Sequence, residues 1–184
     1  MFSFHLRRGA VMAVTFYDLS VGCYLQTVGA VVGFLGRGRH YCEDNGLDPD
    51  SLVEARIFPD MSPLRFQIVS VAHHSHGTIE AIRRGTYVSP DAPKLAAYAE
   101  LESLAAEAEA ALKALTRDEI DALESESILF QIGERAMAFT AENFVMSFSL
   151  PHFHFHATTA YDILRMRGVP LGKRDYMGRL RLTP

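Results

Sequence analysis

The chain has 184 residues, of which 48% are hydrophobic and 22% charged, and its formal charge at pH 7 is −4. This composition is that of one globular domain and excludes a disordered chain. The acidic balance, without a basic stripe, argues against nucleic acid as the main partner. We expect residues 1–14 to be a disordered extension, with Met12 as an alternative start, and residues 15–180 to form a single domain.

The location of the protein is predicted from its N-terminus and its two cysteines. Arg7 and Arg8 precede an apolar run that is too short to span a bilayer and has no clear small-residue cleavage site. Cys23 and Cys42 fall on one predicted helix, too far apart for a disulfide. We therefore predict a cytoplasmic protein that does not enter the membrane.

Two long helical patterns fill the first half of the domain. Apolar residues spaced by three and four predict a helix over 17–44, whose many glycines would let a neighbouring element approach closely. A short helix is predicted over 49–56. A second long helix, continuous over 62–84, has an inward stripe consisting of Leu64, Ile68, Val71, Ser75, Ile79 and Ile82.

The second helix carries a cluster of histidines. At about 100° per residue, His73 points away from the inward stripe and is predicted to be a solvated surface residue. His74 lies on a polar margin that suits the lining of a cavity between helices. This margin also contains Gln67, Ser70 and Thr78.

A third helix is predicted over 94–116, with its glutamates on a solvated outer face. Thr116 and Glu119 have the spacing of a capping box for one further helical turn. The pattern then changes to two short alternating runs around Gly133, over 128–139. This change predicts a β-hairpin that lies against the helices as a flap.

The last helix is predicted over 140–168, with Thr140 as N-cap and Gly168 as stop. Its polar strip is narrow and consists of Asn143, Ser147, His154, Thr158, Asp162 and Arg165. His152 and His156 lie opposite that strip, on the face expected to be buried. Pro151 is expected to kink the helix or to open a new segment. The alternation H-F-H-F-H would also suit a strand with three histidines on one face, but the longer helical pattern favours the helix.

Histidines four residues apart on a helix can offer two ligands to one metal ion. If one further ligand came from elsewhere in the chain, His152 and His156 would leave an open coordination position on a zinc-like ion for water or a substrate atom. Such an ion would acidify a bound water or bind a thiolate. The alternative is that these histidines are core residues satisfied by hydrogen bonds. The candidates to orient the imidazoles are Thr159, Asp60 and Glu142.

The C-terminal segment G-V-P-L-G-K-R-D-Y-M-G allows two interpretations. Lys173 and Arg174 would bind an anionic substrate at the mouth of the bundle while Tyr176 donates a proton, or the segment folds back over the helix ends. The structural interpretation is favoured, because neither a phosphate loop nor a nucleophile elbow accompanies the segment.

Three stretches of the sequence carry a resemblance to a known family. They are S-L-V-E-A-R-I-F-P-D-M-S-P-L-R-F-Q-I, E-R-A-M-A-F-T-A-E-N-F, and L-P-H-F-H-F-H-A-T-T-A-Y-D-I-L-R-M-R-G-V-P-L-G-K-R-D-Y-M-G. Over residues 17–178 the chain resembles a bacterial domain-of-unknown-function branch of the DinB-like superfamily, which includes YfiT-like proteins and the thiol-dependent maleylpyruvate isomerase.

The resemblance implies an all-α fold, an up-down four-helix bundle with a small β-hairpin before the last helix. It also implies a divalent ion, zinc or nickel, on His74, His152 and His156, and a small-molecule or thiol substrate. In this branch Asn often stands at the position of His152, so the branch does not guarantee a metal site.

Three hypotheses about function follow from these observations. The first is a metal-dependent thiol transferase or hydrolase. The second is a non-enzymatic, homodimeric bundle with structural histidines, and the third is a binder of an apolar small molecule in the bundle interior. The third is suggested by Phe144, Phe148, Phe153 and Phe155.

Overall fold

The computed structural model describes residues 14–89 and 94–182. The helices are α1 (Phe16–Leu19), α2 (Val21–Asp44), α3 (Leu64–His73), α4 (His76–Arg84), α5 (Tyr98–Lys113), α6 (Arg117–Asp121), α7 (Ala141–Phe144), α8 (Leu150–Met166) and α9 (Lys173–Met177). The strands are β1 (Thr86–Val88), β2 (Ser127–Ile132) and β3 (Arg135–Thr140). A 3-10 turn spans Pro49–Leu52 and a π-helical turn spans Val145–Ser149. Apart from Val14, the predicted N-terminal extension lies outside the described residues.

The described residues are mostly helical, and the longest helical segments are α2, the interrupted pair α3 and α4, α5 and α8. Helix α2 packs against α5, α9 and α8, and α3 packs against α8 and α5, so that α2, α5, α3 and α8 follow one another around the core. In a simple up-down bundle α3 would lie beside α2, the long helix that precedes it. The connection over 45–63 is long enough to bring α3 to the far side of the core instead.

The fold is mostly helical but not all-α, because a three-stranded sheet lies against the helices. The predicted hairpin is present as β2 and β3, which pair antiparallel. The sequence did not predict β1, which pairs parallel to β2 and places Tyr87 beside Phe130. A three-residue strand has too little pattern to be recognised, and its partner lies about 40 residues away along the chain.

The second predicted helix is interrupted rather than continuous. It ends at His73 and resumes at His76, and Ser75 has φ −111° and ψ −94°. The Ser75 hydroxyl donates to the Val71 carbonyl at 2.7 Å, and the Ser149 hydroxyl donates to the His74 carbonyl at 2.7 Å. Side-chain hydroxyls therefore satisfy carbonyl groups next to the interruption.

The last helical stretch begins and ends as predicted but is not uniform. The Thr140 side chain accepts a hydrogen bond from the Asn143 N–H, and Gly168 has φ +93°. The π-helical turn directly precedes Pro151, which has no N–H to donate. This turn changes the register, so the following residues are rotated relative to a regular helix.

Because of this rotation, the buried face of α8 differs from the face that the sequence predicted to be buried. Its core face consists of Phe153, Ala157, Ala160, Ile163 and Leu164. His152 is exposed and His156 partly buried, so they lie at the edge of that face and not in its middle. The predicted polar strip is exposed, and H-F-H-F-H is helical.

The first long helix begins at Phe16 but is broken at Ser20. The stretch Phe16–Asp44 is apolar and long enough to cross a membrane by length and composition, but it is half buried inside the fold. The stretch is apolar because it packs against α5 and α8 in the hydrophobic core. Close approach at a glycine occurs at Gly38, where Tyr98 packs, while Gly33 and Gly36 face open space.

The remaining elements differ from their predictions mainly in where they begin and end. The third helix is shorter than expected, as α5 begins at Tyr98 and ends at Lys113. Thr116 and Glu119 form the predicted capping box at the start of α6. The predicted short helix over 49–56 is only a 3-10 turn.

The C-terminal segment folds back along the bundle, as the structural interpretation required. Helix α9 packs against α2, and the Gln26 amide donates to the Met177 carbonyl at 3.0 Å. Tyr176 accepts a hydrogen bond from the Thr158 hydroxyl at 2.9 Å. Lys173 and Arg174 are exposed at this end.

Candidate functional site

A cavity of about 300 Å³ lies where α3, α8 and the sheet meet. It brings together the three histidines singled out from the sequence, His74, His152 and His156. The other residues that line it are Phe66, Ser70, Tyr87, Ser89, Phe130, Ile132 and Phe148. Lys173, Arg174 and Tyr176 are not among the lining residues.

The three imidazole rings are close enough to share one small ligand. The ring centroid of His74 lies 4.9 Å from that of His152 and 5.7 Å from that of His156. Two imidazoles bound through Nε2 to one tetrahedral zinc ion, at Zn–N distances of about 2.0 to 2.1 Å, would have centroids about 5 Å apart.

The rings are nevertheless not assembled as a finished metal centre. In the part of the chain that the structure describes, no three His, Cys, Asp or Glu side chains have the arrangement of a metal-binding group. Centroid distances describe where the rings lie, whereas coordination depends on where their nitrogens point. A shared ion therefore requires the side chains to turn, and the exposed His152 has the most room to do so.

The tautomer of His152 is fixed by its own helix. Its Nδ1 lies 2.8 Å from the Phe148 carbonyl oxygen, and a carbonyl can only accept a hydrogen bond. Nδ1 is therefore the protonated nitrogen of the neutral ring, and Nε2 carries the lone pair. The Phe148 ring packs against the imidazole, with centroids 4.2 Å apart.

His156 is oriented in the same way by a residue of α3. Its Nδ1 lies 2.8 Å from Oε1 of Gln67, and Nε2 of Gln67 donates to the Ser62 carbonyl at 2.8 Å. The bond to Ser62 fixes the amide so that its oxygen faces the histidine. The His156 ring therefore donates from Nδ1 and also keeps the lone pair on Nε2.

His74 is held by a residue of the unpredicted strand. Its Nδ1 lies 2.9 Å from the Tyr87 hydroxyl oxygen, and both residues are buried. Nε2 of His74 has no hydrogen-bond partner among the described residues and is not completely buried. This nitrogen is therefore reachable from the cavity.

A buried hydroxyl network fixes the backbone behind His74. Ser149 donates its only hydroxyl proton to the His74 carbonyl, so it accepts from Tyr24 at 2.7 Å and from Thr78 at 2.9 Å. All three hydroxyl residues are fully buried. The network connects α2, α4 and the π-helical turn at the position where the second helix is interrupted.

The electrostatics of the cavity favour neutral imidazoles. Burial, followed by the like charges of the neighbouring His152 and His156, lowers the pKa of His74 to about 3. Burial, followed by the effect of His152, lowers the pKa of His156 to about 4. Both rings are therefore uncharged near pH 7, which is the form that binds a metal ion.

The groups that orient the histidines differ from those expected. Thr159 donates its hydroxyl to the Phe155 carbonyl, and neither Asp60 nor Glu142 bonds to any of the three rings. The polar margin shared by Gln67 and His74 was a usable signal for Gln67. Tyr87 gave no such signal, because its position depends on the pairing of β1 with β2.

His73 is not the solvated residue that its helical position predicted. Its ring lies 4.8 Å from that of Tyr87, and its buried Nε2 has no hydrogen-bond partner in the part of the chain that the structure describes. Burial lowers its pKa. The strand β1 covers this side of α3, which the helical pattern by itself could not show.

A larger cavity, about 670 Å³, lies between α2 and the C-terminal residues 178–182. Its lining contains no histidine, and several of its charged side chains pair with one another, as Arg117 does with Asp18 and Lys113 with Glu109. The smaller cavity is the better candidate, because it gathers three histidines whose Nδ1 atoms all have hydrogen-bond partners.

Comparison with known proteins places the chain in a family. A family model described as "Domain of unknown function (DUF1993)" matches residues 16–177. A DinB family member protein from Shewanella denitrificans has a similar solved structure, with a TM-score of 0.75, 22% identity, and coverage of 91% of this chain and 94% of that one. No curated protein matches. At this identity the structural likeness establishes the fold alone. The chain belongs to the DUF1993 family and has the fold of a DinB-like protein.

Proposed function

We propose that His74, His152 and His156 bind one divalent transition-metal ion, such as zinc or nickel, through their Nε2 atoms. The observation that carries this proposal is that each of the three Nδ1 atoms already has a hydrogen-bond partner within the protein. In metal sites the second ring nitrogen of a histidine ligand is usually bonded in this way, which fixes the tautomer and the ring plane.

The donor set suits such an ion. Three imidazoles that line one cavity leave a coordination position for a water or a substrate atom. When bound, such an ion lowers the pKa of a coordinated water or thiol. The role of the protein is to hold the three rings at the junction of α3 and α8, and to keep the surroundings largely apolar.

The reaction class we propose is metal-dependent hydrolysis or thiol transfer. Its support is the open coordination position together with the DinB-like fold. We also propose that the four long helical segments form one bundle. The contacts of α2 with α5 and α8, and of α3 with α5 and α8, support this arrangement. The cytoplasmic location and the homodimer expected from the sequence stay predictions.

A direct test is to titrate the chelator-treated protein with Zn²⁺, Ni²⁺ and Co²⁺. We expect one equivalent to bind, to raise the melting temperature, and in the case of Co²⁺ to give the visible absorption of a low-coordinate site. The His152→Ala and His156→Ala variants should lose more affinity than the roughly 10- to 100-fold that removal of an orienting neighbour costs.

His154 provides a matched control for these variants. It lies on the same helix between the two proposed ligands, is exposed, and does not line the cavity. His154→Ala should therefore retain the metal affinity of the parent protein. The proposal is wrong if the parent protein takes up less than one equivalent, or if His154→Ala weakens binding as much as His152→Ala does.

A further inference from the structure

Among the described residues, none of those that line the cavity around the three histidines is Asp, Glu, Lys or Arg. The polar residues that line the cavity are the three histidines, Ser70, Tyr87 and Ser89. A charged ligand would lose its hydration on entry without meeting an opposite charge from a side chain.

Aromatic side chains line the cavity next to the histidines. The rings of Tyr87, Phe130 and Phe148 contact one another, with centroid distances of 5.6 Å for Tyr87 and Phe148 and 4.5 Å for Phe130 and Phe148. Phe66 also lines the cavity and lies beside His156, with the two ring centroids 5.8 Å apart. Aromatic walls of this kind favour flat apolar ligands through edge and face contacts.

The rim of the cavity is also apolar. Ile132 lines the cavity at the tip of the hairpin and is 54% exposed. Met137 is 41% exposed and pairs directly with Phe130, so it shares the face of the sheet that is turned towards the helices. A ligand that covers these exposed apolar side chains would remove apolar surface from water, which favours binding.

We propose that this cavity binds a small uncharged molecule with an aromatic body and one hydroxyl or thiol group directed at the histidines. The proposal rests on the proposed function for the contact between that donor group and a bound ion. It does not need the ion for recognition of the aromatic body. This class of ligand differs from the anionic substrate that the sequence suggested for Lys173 and Arg174. Those two residues do not line the cavity.

The test compares three probes of one shape, namely 2-naphthylmethanol, 2-naphthoate and 2-naphthylmethylammonium. They are titrated into the chelator-treated protein at pH 8, and binding is followed by NMR through the methyl groups of Ile132 and Met137. We expect the neutral alcohol to bind at least about tenfold more tightly than either ion. Naphthylmethanethiol should then bind more tightly to the zinc-loaded protein than to the chelator-treated protein.

Two variants on one strand sharpen the test. Ile132→Lys places a cation at the rim of the cavity, and because Ile132 is more than half exposed the protein should fold. This variant should bind 2-naphthoate more tightly than the alcohol. Leu129→Lys adds the same charge on the opposite face of β2, since Leu129 alternates with Ile128 and Phe130, and should keep the preference for the alcohol.

The outcomes separate this inference from the metal proposal. If the alcohol binds the chelator-treated protein but zinc does not bind, the metal proposal fails and the ligand class stands. If zinc binds but the parent protein does not prefer the alcohol over 2-naphthoate, the inference about the ligand is overturned while the metal site survives. Failure of all three probes to bind also overturns the inference.

Discussion

The hydroxyl of Tyr87 lies 2.9 Å from Nδ1 of His74, and this contact joins the sheet to the candidate site. Tyr87 reaches this position because β1 pairs parallel to β2. Burial raises the pKa of Tyr87, so its hydroxyl keeps its proton and can donate as well as accept. The small sheet therefore has a role in orienting a histidine, besides covering the helices.

Removal of the Tyr87 hydroxyl should weaken metal binding without dismantling the site. In Tyr87→Phe, His74 loses the partner of its Nδ1, and we expect the affinity for zinc to fall by about 10- to 100-fold. Competition with a chromophoric chelator measures this affinity.

The control for Tyr87→Phe is Tyr98→Phe. Tyr98 is also fully buried and donates its hydroxyl to the Leu35 carbonyl at 2.9 Å, away from the cavity. Both variants should lose about 1–3 kcal/mol of stability, because each leaves a buried polar group unpaired. Only Tyr87→Phe should lose metal affinity, and an equal loss in both would contradict the orienting role.

The buried hydroxyl network should contribute more to stability than a surface serine does. Ser149→Ala leaves the Tyr24 and Thr78 hydroxyls and the His74 carbonyl without their shared partner. We expect a loss of about 2–4 kcal/mol in the free energy of unfolding, measured by urea denaturation.

The matched variant is Ser147→Ala, two residues earlier in the same π-helical turn. Ser147 is exposed and bonds only to the Asn143 carbonyl of its own helix. Its replacement should change stability by no more than about 0.5 kcal/mol. Equal effects of the two substitutions would show that the network does not stabilise the fold.

Two glycines of α2 should respond in opposite directions to replacement by alanine. A Cβ on Gly38 would clash with the hydroxyl of the buried Tyr98, whereas a Cβ on Gly36 would meet no atom within 4 Å. We expect Gly38→Ala to destabilise the protein by about 1–3 kcal/mol, as overpacking does. Gly36→Ala should stabilise it by about 0.5–1 kcal/mol, because alanine is the better helix former. Thermal or urea unfolding measures both, and stabilisation by Gly38→Ala would contradict the close contact.

The buried histidines should make the protein less stable in mild acid. His74 and His156 have folded-state pKa values of about 3 and about 4, whereas histidine in the unfolded chain titrates near ~6.5. The unfolded state therefore binds more protons below this value, and the free energy of unfolding falls as the pH is lowered. Above pH 7 both states are neutral and this contribution to the pH dependence vanishes.

Urea denaturation of the metal-free protein between pH 7.5 and 5 measures this dependence. The slope should correspond to the uptake of at least about one proton on unfolding between pH 6.5 and 5, above the range in which carboxylates titrate. His156→Gln should reduce the slope, because it removes one of the depressed groups. A flat profile over this range would show that the histidines are not held neutral by burial.

Local patterns predicted the elements whose signals lie within a few residues of one another. Thr140 and Gly168 mark the two ends of the last helical stretch, and Thr116 with Glu119 begins the turn after the third helix. The hairpin around Gly133 was also predicted, because its two strands are neighbours in sequence. Each of these features depends on contacts within one turn or one hairpin.

The histidines of the candidate site were predicted, but not their surroundings. Spacing on one helix singled out His152 and His156, the resemblance to the DinB-like superfamily added His74, and the fold gathers the three around one cavity. The π-helical turn before Pro151 rotates α8, so His152 is exposed instead of buried. A register change of this kind follows from packing and from the missing N–H of proline, and the periodicity of the residues does not reveal it.

The sequence by itself determined which segments form the long helices, where several of them begin and end, and that His152 and His156 lie one turn apart on the last of them. These properties depend on side chains three or four residues apart, whose interactions are the same in any fold. Only the tertiary structure decided that β1 joins the hairpin, that Tyr87 reaches His74, and that Ser149 bonds to the carbonyl of His74. Those contacts join residues distant in sequence, and they form only when the helices and the sheet have packed around a common core.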